Sequence, residues 1–338
     1  MRYRRIGKTD LELSEIGFGC GGNAGLMVRG SAAEQERTVA RALELGIIYF
    51  DNSPDYGDGV AEVNLGRALK AMKQRPLLNS KVEVRAADLG DIAGHVVRSV
   101  EASLQRLGVD HLDIMQIHNG PAAVAPKLEG KVYTQLGIED YLRPGGAIEG
   151  VERLIRAGKV RHAGFICRGN DGAEVQQLLA TGVFRLINVP YTLLNPSAGQ
   201  RVPPGLAVER DYGDVISAAR AAGVGAAIYS PLAGGALTDD ALTGGVRHPL
   251  ARPDRASAEK ATRRREAATR LRFLCEATGL SLAQAAIRFI LMHEGVTTVL
   301  GGFSSVEQME EIVGAADAPA FEARAMARLE VLWRADFA

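Results

Sequence analysis

Cysteine is scarce in this chain. Its 338 residues hold three, Cys20, Cys167 and Cys275, with no paired spacing. That argues against a disulfide framework or a cysteine zinc site and suits a reducing compartment, with the cytoplasm as the expected location. Net charge is missing as well, because 40 basic and 40 acidic residues balance. A neutral chain has no general attraction for nucleic acid or a membrane surface, so neither partner is expected. No apolar run approaches membrane-spanning length. Met1-Arg2-Tyr3-Arg4-Arg5 is basic, but no apolar stretch follows it, so it does not read as a signal peptide. No linker, repeat or low-complexity tract stands out beyond alanine-rich helices, which leaves one expected domain over 1–338. His95, His111, His162, His248 and His293 lack ligand spacing. They read as structural or solvated, and no metal is expected.

What the chain does have is apolar content, 46% of its residues, enough for a large core. After an N-terminal hairpin that turns at Gly7-Lys8-Thr9-Asp10, strand-like and helix-like stretches alternate. The expected strands are Glu15–Cys20, Ile47–Asp51, Leu77–Val82, Leu112–His118, Val160–Cys167, Phe184–Val189, Gly225–Ser230 and Thr298–Gly301. Between them lie helical patterns, several stopped by glycine: Ala33–Leu45, Ala61–Met72, Ile92–Leu107, Ile148–Ala157, Val175–Ala180, Tyr212–Ala222, Ala256–Thr278 and Leu282–Met292. Eight such units fit a closed (β/α)8 TIM barrel, whose chemistry sits at the carboxyl ends of the strands. Two stretches exceed ordinary loop length, Asn119–Gly146 and Leu237–Ala256, and both are expected on that face.

Four residues fall at those strand ends. Asp51 and Tyr56 follow Gly46-Ile47-Ile48-Tyr49-Phe50, Lys81 follows Pro76-Leu77-Leu78-Asn79-Ser80, and His118 follows a run ending in Ile117. A free tyrosine, with a pKa of about 10, is a poor acid at neutral pH. A nearby ammonium favours the phenolate, and a carboxylate holds the ammonium in place. Tyrosine, lysine, aspartate and histidine together can therefore make one proton-donating site.

The segment Phe50-Asp51-Asn52-Ser53-Pro54-Asp55-Tyr56-Gly57, with Glu62 and Leu65-Gly66-Arg67-Ala68-Leu69 behind it, resembles a signature of the aldo-keto reductase superfamily. So do Ser103–Asp110 with Asp113 and His118, Gly158-Lys159-Val160-Arg161 with Gly164, and Tyr229–Gly235. The resemblance implies a (β/α)8 barrel and nicotinamide-dependent carbonyl reduction or its reverse. It implies that Tyr56 is the proton donor, Lys81 tunes it, Asp51 orients Lys81, and His118 binds the substrate oxygen. Hydride would come from NADH or NADPH, because no side chain can supply one. Tyr229 would stack on the nicotinamide, and Ser230 and Leu232 would lie near the pyrophosphate. Gly302, Ser304, Gln308 and Glu311 match the part that holds the adenosine end. Departures stand at Ile166-Cys167, where the family has a Ser-Asn pair for the carboxamide, at Asn188 for Gln, and at Ile312 for Asn. Arg168 or Asn170 could make up for the first.

Other residues have plain readings. Asp113 and Glu62 read as structural, Cys20 as a small apolar filler or a ribose neighbour, and Arg263-Arg264-Arg265 as a solvated helix face. Arg252 reads equally as a phosphate ligand or a solvated side chain. The turn Gly301–Gln308 holds no base and one acid, Glu307, which leans the cofactor to NAD or dual use. The substrate is a small carbonyl or alcohol. Leu128, Tyr133, Leu136, Tyr141 and Leu142, beside Glu139, Asp140 and Arg143, would give the first long loop a mixed surface for a sugar or an aromatic ring. The rival readings are a slow, cofactor-keeping regulatory subunit and a cofactor-free hydrolase or lyase. Oligomeric state is not readable.

Overall fold

The computed structural model describes residues 1–124, 135–168, 172–245, 248–252 and 257–338. An antiparallel hairpin, β1 (Tyr3–Arg5) and β2 (Glu12–Ser14), comes first. The barrel strands are β3 (Ile16–Gly19), β4 (Tyr49–Asp51), β5 (Leu77–Val82) and β6 (Leu112–Ile117). After a small separate ladder of β7 (Gly120–Ala122) and β8 (Gln135–Gly137) come β9 (Val160–Ile166), β10 (Phe184–Pro190), β11 (Gly225–Tyr229) and β12 (Val296–Gly302). Strands β3, β4, β5, β6, β9, β10, β11 and β12 pair in that order, all parallel, and β12 closes back on β3. The expected (β/α)8 barrel is the observed fold.

Two apolar layers explain the closure. The larger core lies between the strands' outward faces and the helices. A second, inside the barrel, joins Ile6, Leu11 and Leu13 of the hairpin region to Tyr49, Ile114, Leu186, Ala227 and Leu300. The hairpin thus plugs the amino end with apolar side chains and leaves the carboxyl end to polar ones. Its turn needs Gly7, whose φ is +45° and where a Cβ would strike the carbonyl of Gly223.

Several boundaries differ from expectation for identifiable reasons. The helix expected from Tyr212 begins at Val215, because Gly213 and Asp214 both have left-handed backbones, φ +61° and +55°. The stretch expected as one helix over Ala256–Thr278 is two, Ala258–Arg270 and Arg272–Thr278, broken at the buried Leu271. The loop expected over Asn119–Gly146 contains β7, β8 and a short helix, Ile138–Leu142. Among the described residues no single helix is long and apolar enough to cross a membrane.

Candidate active site

Strand alternation sets the site. On β5, Asn79 and Lys81 share one face and turn inward, while Ser80 turns outward to Glu62, its hydroxyl donating to that carboxylate at 2.5 Å. Asp51 ends β4 directly opposite Asn79, and Gln116 on β6 lies opposite Lys81. Lysine has three N–H donors, and here each has a target. Lys81 Nζ donates to Asp51 Oδ1 at 2.5 Å, to the Asn52 carbonyl at 2.7 Å and to Tyr56 Oη at 3.3 Å. The Lys81 and Asp51 side chains are 2% and 3% exposed. Tyr56 is half-buried on the loop after β4, its backbone N–H bonded to the Ser53 carbonyl.

Below this group runs a chain of amides. Asn79 Nδ2 donates to Asp51 Oδ2 at 2.8 Å and to Gln116 Oε1 at 3.2 Å. Gln116 Nε2 donates to Asn188 Oδ1 at 2.7 Å, and Asn188 Nδ2 reaches Asp51 Oδ2 at 3.3 Å. Gly164 makes the link possible, because a Cβ there would meet the Leu186 carbonyl and the Gln116 amide. Asn188, read from sequence as a cofactor contact, thus has its amide committed to Asp51 and Gln116.

His118 follows β6, its N–H held by the Val82 carbonyl at 2.7 Å. Its ring meets Tyr56 edge-on, with centroids 6.3 Å apart. Its Nδ1 lies 3.2 Å from Asp55 Oδ2, 3.4 Å from Ser53 Oγ and 3.5 Å from Glu83 Oε2. Burial pushes its pKa down to about 3, with Arg168 and Lys81 adding to the fall and Asp55 opposing it. Burial raises Asp55, but His118, Arg85 and Lys81 outweigh that and hold its carboxyl below the usual range. Asp55, Glu83 and His118 are close enough to share an ion. Asp55 already pairs with Arg85 at 2.6 Å, which favours a proton-handling role over a metal site.

One cavity of about 1,560 Å³ opens at this end of the barrel. Asp51, Tyr56, Lys81 and His118 border it, as do Asn188, Tyr229, Ser230, Leu232, Gly302, Ser304, Gln308 and Glu311. The turn after β11 is strained where it meets the cavity. Ser230, Ala233, Gly234 and Gly235 all have positive φ, from +49° to +93°. The Ala233 and Gly235 N–H groups bond back to the Ser230 and Leu232 carbonyls, which holds the turn tightly curved against the cavity. These features fit a dinucleotide. Ser304 Oγ donates to the Ala24 carbonyl, Gln308 Oε1 accepts from the Ser304 N–H, and Glu311 accepts from Ser281. Burial pushes the Tyr229 phenol up to about 12.

Other expectations change. Ile166 borders the cavity, but Cys167 does not, and burial pushes its thiol up. Arg168 borders the cavity and donates to the His118 carbonyl at 3.0 Å, while Asn170 lies outside the described residues. Arg263 and Arg264, read as solvated, stand on the cavity wall with Lys260. Arg252 is exposed at the same wall, its backbone N–H bonded to the Asn23 carbonyl. Among the described residues of the first long loop, only Leu142 of the named apolar side chains is exposed. Tyr141 and Leu136 are fully buried, with the Tyr141 hydroxyl donating to the Asn119 carbonyl at 2.6 Å, and Leu128 and Tyr133 lie outside the described residues. Instead the segment after β10 borders the cavity with Thr192, Leu194, Asn195, Glu209, Arg210 and Tyr212, which no sequence pattern marked. Asp113 and Glu62 are structural, as expected. Asp113 accepts from the Leu78 N–H, Arg75 and Arg161, and Glu62 accepts from Ser80 and Arg106.

Comparison with known proteins gives one answer. The model of the Aldo/keto reductase family matches residues 15–334. The chain is 30% identical to L-galactose dehydrogenase of Arabidopsis thaliana, over 93% of this chain and 88% of that one. It is 26% identical to L-glyceraldehyde 3-phosphate reductase of Escherichia coli, over 98% and 92%. The structure of an aldo-keto reductase from Bacillus halodurans, in its holo form, superposes with a TM-score of 0.71 at 25% identity, covering 99% of this chain and 97% of that one.

Proposed function

The chain belongs to the aldo/keto reductase family and is an NAD(P)-dependent oxidoreductase interconverting a carbonyl and an alcohol, and on that premise we propose that Tyr56 gives the carbonyl oxygen its proton. The observation that carries this is the Lys81 ammonium, with one donor on Asp51, one on a backbone carbonyl and the third on Tyr56 Oη. As the proton leaves Tyr56, negative charge builds on an oxygen 3.3 Å from that ammonium, whose side chain is buried. Asp51 keeps Lys81 aimed, and His118 holds the substrate oxygen beside Tyr56. The bound nicotinamide supplies the hydride. Tyr229 would hold the nicotinamide face, the Ser230–Gly235 turn the pyrophosphate, and Ser304, Gln308 and Glu311 the adenosine end. The complete set of acid, cation and carboxylate supports turnover over a slow, cofactor-keeping role.

For substrate we propose an aldose or a short hydroxyaldehyde. The support is the pair of relatives named for L-galactose and L-glyceraldehyde 3-phosphate, together with the polar wall of Asp55, Arg168, Asn195 and Arg210. Three cysteines free of disulfides suit the cytoplasm as location. The test is Tyr56→Phe assayed on a panel of aldoses and hydroxyaldehydes in both directions. Turnover is expected to fall about 10²–10⁴-fold, with the dinucleotide dissociation constant within about twofold of wild type. A variant within a few-fold of wild type on its best substrate would remove Tyr56 from the proton-donor role.

A further inference from the structure

The backbone after β10 is pinned by short polar side chains. Thr192 and Asn195 exchange backbone hydrogen bonds of 3.1 Å each. Asn195 then reaches forward, its Nδ2 donating to the Arg210 carbonyl at 2.9 Å. Ser197 is fully buried and holds the Tyr212 N–H on its hydroxyl at 3.1 Å and the Asp214 N–H on its carbonyl at 2.8 Å. Arg210 is thus fixed through its backbone, and its half-buried side chain borders the cavity.

The acids beside it in sequence are committed elsewhere. Glu209 pairs with Lys260 and Arg264, and Asp211 accepts from the Gly213 N–H at 2.8 Å. Among the described residues the Arg210 guanidinium meets neither a carboxylate nor any other hydrogen-bond acceptor. On the same cavity Lys81 is answered by Asp51 and Arg263 by Asp336. A guanidinium cannot shed its charge, and its planar fork of N–H donors meets phosphate or carboxylate oxygens in pairs. Half-buried and unanswered, Arg210 is a seat for an anion.

Its place in the cavity sets it apart from the Glu209 cluster. Arg264 donates to the Ala233 carbonyl at 3.3 Å, so that cluster stands at the turn after β11. Arg210 acts at the phenols of Tyr212 and Tyr229, which burial raises and Arg210 draws back down. Arg168, which donates to the His118 carbonyl, acts on the Tyr229 phenol too. Tyr229 is the neighbour read above for the nicotinamide, so Arg210 serves the end of the cavity where substrate reacts.

We propose that Arg210 is a specificity residue which binds an anionic group, a phosphate ester or a carboxylate, that the substrate carries away from its carbonyl. The inference rests on the reading of the substrate as an aldose or hydroxyaldehyde and names its class more closely. The anion neutralises Arg210, and the energy of that contact holds the carbonyl against Tyr56. A neutral aldose lacks the contact.

The test uses substrates matched at the reacting end: glyceraldehyde against glyceraldehyde 3-phosphate, and galactose against galacturonate and galactose 6-phosphate. The wild type is expected to favour an anionic member over its neutral partner at least about tenfold in kcat/KM, and the galactose series tells phosphate from carboxylate. Arg210→Gln is expected to lower that ratio about 10–100-fold, the worth of hydrogen bonds to a charged group, chiefly through KM. Arg210→Lys should keep part of it, because charge remains while the fork is lost. Inorganic phosphate should compete with the carbonyl substrate and bind about tenfold more weakly to Arg210→Gln. A wild type that favours the neutral members, or turns over no anionic one, would overturn the proposal. Equal losses on charged and neutral substrates in Arg210→Gln would do the same. A tenfold loss of dinucleotide affinity in that variant would assign Arg210 to the cofactor instead and overturn it as well. Should Tyr56→Phe turn over like wild type, the reading of the site falls and this inference with it. Should Tyr56→Phe fail while Arg210→Gln keeps the wild-type ratio, this inference alone falls.

Discussion

On the cavity wall made by β4, β5 and β6, Lys81 and Asp51 form an ion pair whose side chains are 2% and 3% exposed. On the wall made by the helix Ala258–Arg270, Lys260 and Glu209 form one whose side chains are 37% and 58% exposed. Glu209 also reaches Arg264, and Arg263 pairs with Asp336 near the C-terminus. The first pair is held by paired strands and a layer of amides. The second joins a loop to a helix in water. A desolvated pair whose partner is removed leaves a stranded charge, while a solvated pair exchanges one neighbour for solvent. Chemistry that needs fixed distances stands on the first wall.

The sharpest way to break this contrast is to remove one lysine from each wall. Lys81→Met leaves Asp51 buried, with its two amide donors but no cation. It is expected to lower unfolding free energy by about 3–5 kcal/mol and turnover at least about a hundredfold. Lys260→Met is expected to change stability by less than about 1 kcal/mol. Urea unfolding of both variants reads the difference. Equal costs would mean that burial does not separate the two walls.

Acid should act through the first wall next. His118 is held at about 3 in the fold, against about 6.5 in an unfolded chain. Between those values the unfolded chain binds a proton that the folded one refuses. Stability is therefore lost as pH falls from about 6.5 toward 3. At roughly 1.4 kcal/mol per unit, moving from pH 6.5 to 5 removes up to about 2 kcal/mol. His118→Gln should flatten that slope by one proton, measured as urea unfolding at several pH values. An unchanged slope would place the titration elsewhere.

The first wall was legible in the sequence because strand periodicity is local. Leu112-Asp113-Ile114-Met115-Gln116-Ile117 announces a buried strand, and His118 is then placed by the barrel's geometry. Lys81 was conspicuous as a cation in such a run. The second wall was not legible. Glu209 meets Lys260 and Arg264 across a long stretch of sequence, and nothing near either end says so. Arg263 and Arg264 sit in a helix with few apolar residues, so a solvated face was the natural reading. Glu83 and Asp55 were missed for a related reason. A lone carboxylate beside a motif looks like surface charge until a third strand brings an imidazole to it.

The smallest expected effect concerns cofactor choice, and it depends on the second wall alone. A strong preference for NADP requires net positive charge at the ribose 2′-phosphate. The turn after β12 has no base, and Glu307 is exposed and stands off the cavity wall, so it neither attracts nor repels there. Lys260 and Arg264 border the cavity and share one carboxylate, Glu209, which offsets about half of their charge, and Asp336 pairs with Arg263. Arg252 borders it as well, from the long loop after β11. We therefore propose dual use, with catalytic efficiencies for NADP and NAD within about tenfold, or about 1.4 kcal/mol. Glu209→Gln should shift the ratio a few-fold toward NADP, because it leaves the cations less compensated. Arg252→Ala should shift it a few-fold toward NAD. The ratio of kcat/KM for the two cofactors on one substrate reads all three. A wild-type preference for NADP above about a hundredfold, or about 2.7 kcal/mol, would overturn dual use. In that case loss of the preference in Arg252→Ala would identify the loop as the phosphate clamp and give the second wall a fixed contact of its own.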